Sequence, residues 1–457
     1  MWIVLFKKLK CLMCIVLALA MLPLNGCAVF RSETVTIGVE EAAPYLALTE
    51  QFLAALFEQD YSGCMAMFAE NLTNTMDKAE LQEEWETLRL SYGDAVTMDR
   101  YEAYRINGEG TILAYVTHTH GGSTVQLTFD ADNGVAGLWF GMREDAPDYA
   151  VAVPEGVEER EILLGEGTQY ELRAILTYPA GEETSAHPAV VLVHDSGAYD
   201  RNESIGGCTP FADLAHGLAR AGIASIRYDK RTYTYGYDFT EDEVQSMTVQ
   251  QEVIDDALLA IDALRAQPFA DAERICIAGH GLGGMLAPRI AVQSEGKIAG
   301  IVSLAGSARG YLDVVYDQNL AMTDDASRLN AIKKEYKKVE KLDSQKDSAT
   351  VFGIPVPYLK DLYAHPVGES LGQLSVPILI LHGESDFQMS LSDYKSWQSA
   401  LEDYAGEADF ELFGGLNHLF AESASLKRRG TTAEYLAQSP VAQQVIDRIA
   451  DWINEAK

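Results

Sequence analysis

The sequence predicts two folded domains of different class, a small α+β domain over about residues 44–145 and a larger α/β domain over residues 155–457. In the first region, segments with helical spacing of apolar residues precede short strands separated by hairpin turn pairs. In the second region, continuous apolar runs alternate with helical segments, as in a mostly parallel sheet covered by helices on both faces. The length of 457 residues allows two or three domains.

The composition excludes some classes of protein. The chain carries 35 Lys and Arg against 68 Asp and Glu, a formal charge of −33, and 47% of its residues are hydrophobic. That apolar content is enough to bury a core, so the chain is not a disordered acidic tail. Nucleic-acid binding relies on Lys and Arg that neutralise phosphates, so no nucleic-acid partner is expected.

The first 26 residues have the features of a signal peptide. Three lysines precede an apolar run from Cys11 to Leu24, which is too short to span a bilayer because about 20 residues are needed. The run ends in Leu24-Asn25-Gly26-Cys27, which resembles the lipobox of bacterial lipoproteins. The resemblance implies cleavage before Cys27, a diacylglycerol on its thiol, and a protein anchored to the membrane at the cell surface. The alternative is an ordinary signal peptide that happens to contain a cysteine.

Residues 27–43 show no strong periodicity and are expected to form a tether. Cleavage would remove three lysines and no acidic residue, which moves the net charge from −33 to −36. Apart from Cys27, the mature chain would retain Cys64, Cys208 and Cys276. Three widely spaced thiols indicate neither a disulfide framework nor a zinc site. No cofactor or metal is expected.

The small domain is predicted to place helices before an antiparallel meander. Helices are expected over Leu46–Phe68 and Asp77–Leu90. Four strands follow, separated by Asn-Gly and Gly-Gly pairs: Tyr101–Ile106, Thr111–His120, Ser123–Asp130 and Gly134–Gly141. The pattern resembles the helix-plus-curved-sheet cones of the nuclear-transport-factor or cystatin type, and an uncharacterised domain found ahead of bacterial hydrolases. His118 and His120 share a strand face, but without a third ligand nearby no metal site is expected.

The large domain is predicted to begin with a hairpin and to continue with alternating strands and helices. The strands are expected at Val157–Leu164, Thr168–Tyr178, Ala189–Val193, Ile223–Tyr228, Ile275–Ala278, Ile298–Leu304, Pro377–Leu381 and Phe410–Phe413. The helices are expected at Gln250–Ala266, Leu282–Val292 and Leu391–Tyr404, with a last helix that starts at Ser439 as N-cap. A mostly helical insertion, about residues 307–372, is expected to form a cap over a ligand crevice.

One turn in this domain has the context of a catalytic nucleophile. The strand Ile275–Ala278 runs into Gly279-His280-Gly281-Leu282-Gly283-Gly284 and then a helix. A strand, a tight glycine-rich turn and a helix form the nucleophile elbow, whose consensus is G-x-S-x-G. Here the flanking glycines are present, but the central residue is Gly281. Asp386 follows a later strand and His418 lies in a glycine-rich loop after the next one, in the order nucleophile, acid, histidine.

Residues 155–457 resemble α/β-hydrolases of the dienelactone-hydrolase and serine-aminopeptidase-like group, in particular secreted bacterial esterases. The matching stretches include Val191–His194, Asp200–Glu203, Arg227–Arg231, Gly279–Pro288 and the segments that carry Asp386 and His418. The resemblance implies a serine nucleophile at position 281, His418 as general base, and Asp386 as the residue that orients it. It also implies a small acyl ester as substrate. The oxyanion hole would combine the Leu282 amide with one from the loop His194-Asp195-Ser196-Gly197.

The sequence departs from this group at two positions, Gly281 and Asp195, where the group usually has Ser and Gly. Without a hydroxyl at residue 281 no acyl-enzyme can form, and in a serine protease that loss costs about 10⁶-fold in turnover. A carboxylate at residue 195 would oppose the negative charge of an oxyanion. Glycine at the elbow relieves backbone strain, so folding is not expected to suffer.

Ser196 and Ser385 are the alternative nucleophiles, but neither lies on the elbow, and His280 is expected to point away from the substrate. Three explanations for Gly281 are possible: natural change, an engineered knock-out or a sequence error. The second departure at Asp195 favours natural change. The sequence therefore predicts an ester-hydrolase-type surface lipoprotein with lost or strongly reduced activity. The alternative is a non-catalytic ligand-binding or interaction module. Gly281→Ser alone is expected to restore a reactive serine if the remaining site is intact.

Overall fold

The computed structural model describes residues 34–118, 121–142, 151–236, 238–321, 323, 326–422, 434–435 and 439–455. The predicted signal peptide, the predicted lipidation site Cys27, and His120 lie outside the described residues. Within the described part of the chain, no helix combines the length and apolar character needed to cross a membrane. Cys64, Cys208 and Cys276 are free thiols, and all three are buried.

The amino-terminal domain is a five-stranded antiparallel sheet in the order β1-β2-β3-β4-β5, with its helices packed on a shared apolar core. The strands are β1 (Thr34–Thr36), β2 (Ala95–Ile106), β3 (Glu109–His118), β4 (Gly121–Phe129) and β5 (Val135–Met142). The helices are α1 (Val39–Phe57), α2 (Tyr61–Met65), α3 (Glu70–Thr73) and α4 (Lys78–Tyr92). The expected α+β class is confirmed.

The amino-terminal boundary of this domain differs from the prediction. Strand β1 pairs with β2, and helix α1 begins at Val39, so β1 and the first turn of α1 lie within the segment expected to be a tether. Ala42 is buried, which shows that this segment contributes to the core. The predicted helix Leu46–Phe68 is also interrupted, because Gln59 has a left-handed backbone and Asp60 caps a new helix by accepting the Gly63 amide hydrogen.

The second domain contains an eight-stranded sheet in the order β15-β14-β11-β10-β8-β9-β7-β6. Its strands are β6 (Val157–Leu164), β7 (Leu172–Pro179), β8 (His187–Val193), β9 (Ala224–Tyr228), β10 (Ala270–His280), β11 (Gly300–Leu304), β14 (Ile378–Gly383) and β15 (Ala408–Phe413). Six strands of this sheet are mutually parallel: β9, β8, β10, β11, β14 and β15. Strand β7 runs antiparallel to β9, and β6 runs antiparallel to β7. Strands β8 and β11 are buried along their whole length, as expected between two helical layers.

Two apolar clusters cover the two faces of this sheet. The helices that connect or flank its strands are α5 (Pro210–Arg220), α6 (Arg231–Tyr235), α7 (Glu241–Ser246), a π-helical turn (Gln250–Ile254) that continues into α8 (Asp255–Arg265), α9 (Leu282–Gln293), α14 (Leu391–Ala400) and α15 (Gln443–Glu455). The architecture is an α/β-hydrolase fold, as the sequence predicted.

The last helix begins at Gln443 rather than just after Ser439. The reason is that the preceding segment bonds to other elements. The Val441 amide donates to Asp213 Oδ2, and the Ala442 amide donates to the carbonyl oxygen of Phe420. Pro440 therefore lies in a non-helical segment in front of the helix.

The insertion after β11 is mostly helical, as expected. It comprises α10 (Tyr311–Ala321), α11 (Ala326–Tyr336), a 3₁₀ helix (Val339–Ser344), a short hairpin β12 (Thr350–Val351) and β13 (Ile354–Pro355), α12 (Val356–Ala364) and α13 (Val367–Leu371). The parallel strands β8, β10, β14 and β15 end at one edge of the sheet, and the loops that follow them carry the predicted site residues.

Candidate active site

The elbow keeps its backbone although it has lost its side chain. Gly281 follows β10 and caps α9 with φ of 49° and ψ of −111°, a conformation that residues with a Cβ rarely adopt. Its amide donates to the carbonyl oxygen of Leu304 at 2.9 Å. A Cβ on Gly279 would lie 2.2 Å from the carbonyl oxygen of Gly283, and one on Gly283 would lie 2.2 Å from that of Val193. The flanking glycines are therefore required by close backbone contacts.

The acid and the histidine of the predicted triad are brought together. His418 Nδ1 donates to Asp386 Oδ2 at 2.8 Å. The second oxygen of Asp386 accepts the amide hydrogens of Gln388 and Met389 at 2.8 and 2.9 Å, which fixes the carboxylate. This part of the site has the geometry of a histidine oriented by a carboxylate.

Asp195 lies at the centre of the site and engages the groups that would serve an acyl substrate. Its Oδ1 accepts the amide hydrogens of Leu282 and Ser196, both at 2.6 Å. Its Oδ2 accepts from His418 Nε2 at 3.2 Å. The two amides predicted to form an oxyanion hole thus converge on one point, and a carboxylate oxygen of the protein occupies that point.

The Asp195 carboxylate also fills the place of the missing side chain. A Cβ built on Gly281 would lie 2.1 Å from Asp195 Cγ and 2.1 Å from its Oδ1. Real Cβ atoms do not approach other atoms so closely. A serine at position 281 and the carboxylate in its present position therefore exclude each other.

The contacts of His418 define its protonation state. Both ring nitrogens face carboxylate oxygens, which only accept hydrogen bonds, so both nitrogens carry hydrogen and the ring is a cation. Burial opposes that charge, but Asp386 and Asp195 outweigh burial and raise the pKa of His418 to about 10. Burial favours the neutral acid at Asp195, yet the hydrogen bond and charge of His418 hold its pKa well below the usual range. Near neutral pH, His418 has no free lone pair with which to accept a proton.

Glu203 stabilises this arrangement through hydrogen bonds to Asp195 and His280. Its Oε1 accepts the amide hydrogen of Asp195 at 2.7 Å, so this amide does not face the crevice. Its Oε2 accepts from His280 Nδ1 at 2.9 Å, and His280 Nε2 donates to the carbonyl oxygen of His418 at 3.0 Å. Burial opposes a charge on His280, but Glu203 raises its pKa. Lys230 Nζ donates to the main-chain oxygen of Asp195 at 3.1 Å.

A metal site does not fit these residues. Asp195, His280 and His418 bring potential ligand atoms within 4.8 Å of one another. However, His280 donates from both ring nitrogens, to Glu203 and to a carbonyl oxygen, so it offers no lone pair. In the amino-terminal domain, the ring nitrogens of His118 bond to the Gly93 carbonyl oxygen and to Ser123 Oγ.

Helix α10 of the cap closes over Asp195. The pocket between them has room for about one water molecule. Its wall comprises Asp195, Ser196, Leu282, Met285, Tyr311, Val314, Gln318 and Met389. The Asp195 side chain is 11% exposed and His418 only 2%, so the carboxylate is the charged group that reaches this pocket.

The structure thus brings Gly281, Leu282, Asp386 and His418 together with the oxyanion loop, in which Ser196 supplies the amide. Sequence reasoning missed the direct contact of Asp195 with His418, because nothing in the sequence sets the direction of that side chain. It also missed Glu203 and the buried His280 as supports. The available signal was the stretch Asp200–Glu203, which matched the family but had no assigned role.

Comparisons with known proteins find a family that matches within each of the two domains. The profile of the Prolyl oligopeptidase family matches residues 214–439, and a protein family of unknown function, DUF3887, matches residues 49–138. The chain is 31% identical to Esterase EstD of Thermotoga maritima over 411 residues, which cover 88% of this chain and 93% of that protein.

Two solved structures similar to the chain are Est1E from Butyrivibrio proteoclasticus and a dienelactone hydrolase from Klebsiella pneumoniae. Est1E is 16% identical with a TM-score of 0.41, over 65% of this chain and 98% of its own. The dienelactone hydrolase is 14% identical with a TM-score of 0.39, over 65% of this chain and 99% of its own.

The fold and the arrangement at the strand ends define an α/β-hydrolase. At this level of identity and coverage, the chain belongs to the esterase family that includes Esterase EstD.

Proposed function

We propose that this protein is an ester-hydrolase-type member of its family in which the serine route of acyl transfer is closed. Its activity on small acyl esters is then strongly reduced or lost. The observation that carries the proposal is the position of the Asp195 carboxylate, which occupies both the serine site and the oxyanion hole.

Three requirements of acyl transfer are unmet at once. Position 281 has no oxygen to attack a carbonyl carbon. The amides of Leu282 and Ser196 already bind a carboxylate oxygen, so an oxyanion of the substrate has no donors left. His418 carries its proton between two carboxylates and cannot activate a nucleophile. A module that binds a ligand without turnover gains no support from the pocket, which has room for about one water molecule.

The test measures acyl transfer by the purified protein. Nitrophenyl acetate and butyrate should be hydrolysed at the rate seen without protein, and a fluorophosphonate probe should label no residue. The probe should react normally with a serine esterase treated in parallel. Stoichiometric labelling at any serine, together with ester hydrolysis, would refute the proposal.

We also propose that the protein is a lipoprotein anchored through Cys27 at the outer side of the cytoplasmic membrane. Its support is the sequence Leu24-Asn25-Gly26-Cys27 after an apolar run. In a bacterial host, the full chain should incorporate labelled fatty acid and partition with membranes, whereas Cys27→Ala should do neither. Equal labelling of the two proteins would rule out this site.

A further inference from the structure

We propose that the cap binds the surface of an anionic phospholipid bilayer through a row of lysines on helix α11 and the turn after it. This function goes beyond acyl transfer. The row, called the lysine surface below, consists of Lys333, Lys334, Lys337, Lys338 and Lys341. Residues 333–341 thus contain five lysines and two glutamates, in a chain whose formal charge is −33.

The first four of these lysines share one side of a helix. Residues four apart are neighbours on a helix, which pairs Lys333 with Lys337 and Lys334 with Lys338. The Lys337 amide donates to the carbonyl oxygen of Lys333 at 3.3 Å, so the helical path continues past the end of α11. Lys341 follows in the 3₁₀ helix and is exposed, as are Lys333, Lys334 and Lys337.

Acidic side chains leave most of this charge unneutralised. Among the described residues, the lysine surface makes one ion pair, between Lys338 Nζ and Glu335 Oε1 at 2.7 Å. Like charges four positions apart destabilise a helix, and two such lysine pairs lie side by side here. An anionic partner would relieve this repulsion in addition to its direct attraction.

Helix α11 is a peripheral element of the cap. It buries none of its side chains, whereas α12 buries several, including Leu359. Its attachment comes from Tyr336, whose ring stacks on Tyr316 of α10 with 4.2 Å between the ring centroids. The Tyr336 hydroxyl also donates to Asp313 of α10. The charged side of α11 is therefore open to a broad, flat partner.

The composition of the lysine surface favours a membrane over a folded macromolecule. Arg recognises phosphate through a rigid fork of donors, whereas Lys acts as a flexible point charge that requires no fixed arrangement of anions. Clusters of about four to eight cations are typical of segments that bind anionic lipids. A nucleic acid would extend beyond this surface onto a strongly acidic chain, whereas attraction to headgroups acts within about 10 Å.

The lipid anchor proposed at Cys27 would keep this surface near a bilayer, and this step alone rests on that proposal. Strand β1 begins at Thr34, seven residues after Cys27. An extended chain spans at most about 3.6 Å per residue, so the first strand would lie within about 25 Å of the anchored lipid. Tethering raises the local concentration of the cap at the membrane, so a weak attraction is sufficient.

The test measures cosedimentation of the full chain with vesicles. All proteins carry Cys27→Ala, so that no attached lipid contributes. Vesicles of phosphatidylglycerol and phosphatidylcholine in equal parts are compared with phosphatidylcholine alone. The variant K333Q/K334Q/K337Q/K341Q should bind the anionic vesicles about tenfold or more weakly than the parent, because each lysine near an anionic surface adds to binding. Gln resembles Lys in helix propensity, and binding to phosphatidylcholine should not differ.

The matched control removes four lysines outside the lysine surface, K78Q/K297Q/K360Q/K395Q, and should bind like the parent. Circular dichroism verifies the fold of each protein. A rise in salt from about 0.1 M to about 1 M should release the parent from anionic vesicles. Equal losses in the two variants, or no loss in either, would overturn the proposal. Parent binding to soluble polyphosphate but not to vesicles would overturn it too. Fatty-acid labelling at Cys27 and the serine probe test the anchor and the closed acyl route separately.

Discussion

The acid–base half of the site and its nucleophile half differ in what they keep of a serine hydrolase. The acid–base half retains the histidine and the carboxylate, with 2.8 Å between His418 Nδ1 and Asp386 Oδ2. It also retains two amides that fix the Asp386 carboxylate. The elbow and the oxyanion loop keep only the backbone. Gly281 holds the elbow conformation, and two amides converge on one acceptor. However, position 281 has Gly where the group usually has Ser, and position 195 has Asp where the group usually has Gly.

This difference shows that the two departures are coupled in space. The carboxylate can occupy its present position only because residue 281 has no Cβ. The oxygen lost at one position is replaced by an oxygen from the other, in contact with the same histidine. Two independent accidents would not be expected to complement each other in this way. Reversal of one change alone is therefore not expected to restore the family's chemistry.

The largest effect is expected from reversing both changes. The double variant D195G/G281S places a hydroxyl on the elbow and frees the amides of Leu282 and Ser196. Nitrophenyl butyrate hydrolysis should rise by about 10³-fold or more over wild type, since a serine nucleophile accounts for about 10⁶-fold in a serine protease. A fluorophosphonate probe should label Ser at position 281.

The single variants are the matched controls. Gly281→Ser alone should stay unlabelled, which revises the expectation from sequence, because its Cβ would lie 2.1 Å from Asp195 Cγ. Asp195→Gly alone opens the hole but supplies no nucleophile, so it should also stay inactive. Full labelling of Gly281→Ser would show that the carboxylate moves aside freely and that the halves are not coupled.

The ion pair between Asp195 and His418 should affect how the free energy of unfolding depends on pH. The pKa of His418 is raised from 6.5 to about 10, so its stabilising effect is complete below pH 6.5 and is lost as pH rises through about 10. Chemical denaturation should give a free energy of unfolding that falls by a few kcal/mol over this range. Asp195→Gly removes one of the two carboxylates that raise this pKa and should show a smaller decline.

Lysines and tyrosines also titrate in alkaline solution, so the informative quantity is the difference between the two proteins. Parallel curves for wild type and Asp195→Gly would contradict an ionic contact between Asp195 and His418. A steeper decline in wild type supports it.

The sequence predicted the parts of the site that the backbone determines. Asp386 and His418 follow strands β14 and β15, and the apolar runs of these strands are recognisable in the sequence. The glycines of the elbow are recognisable in the same way. The direction of the Asp195 side chain was not predictable, because it depends on a cavity left by a residue 86 positions further along the chain. The amino-terminal boundary was missed for a similar reason, since strand β1 is defined by its pairing with the distant β2.

The smallest effect is expected from a change at Glu203, which connects the loop of Asp195 to His280 and, through His280, to His418. Its carboxylate accepts from the Asp195 amide and from His280, and His280 in turn donates to the main chain of His418. Glu203→Gln keeps one acceptor but turns an amide group toward a donor, so it should lower the free energy of unfolding by about 1–3 kcal/mol. The matched control is Glu411→Gln, which removes one charge of a partly exposed pair with Arg448 and should cost about 1 kcal/mol or less. Urea titration of both variants measures the difference. Equal losses in the free energy of unfolding would mean that Glu203 contributes no more than an ordinary ion-pair partner. A larger loss for Glu203→Gln would support its role in fixing the Asp195 loop.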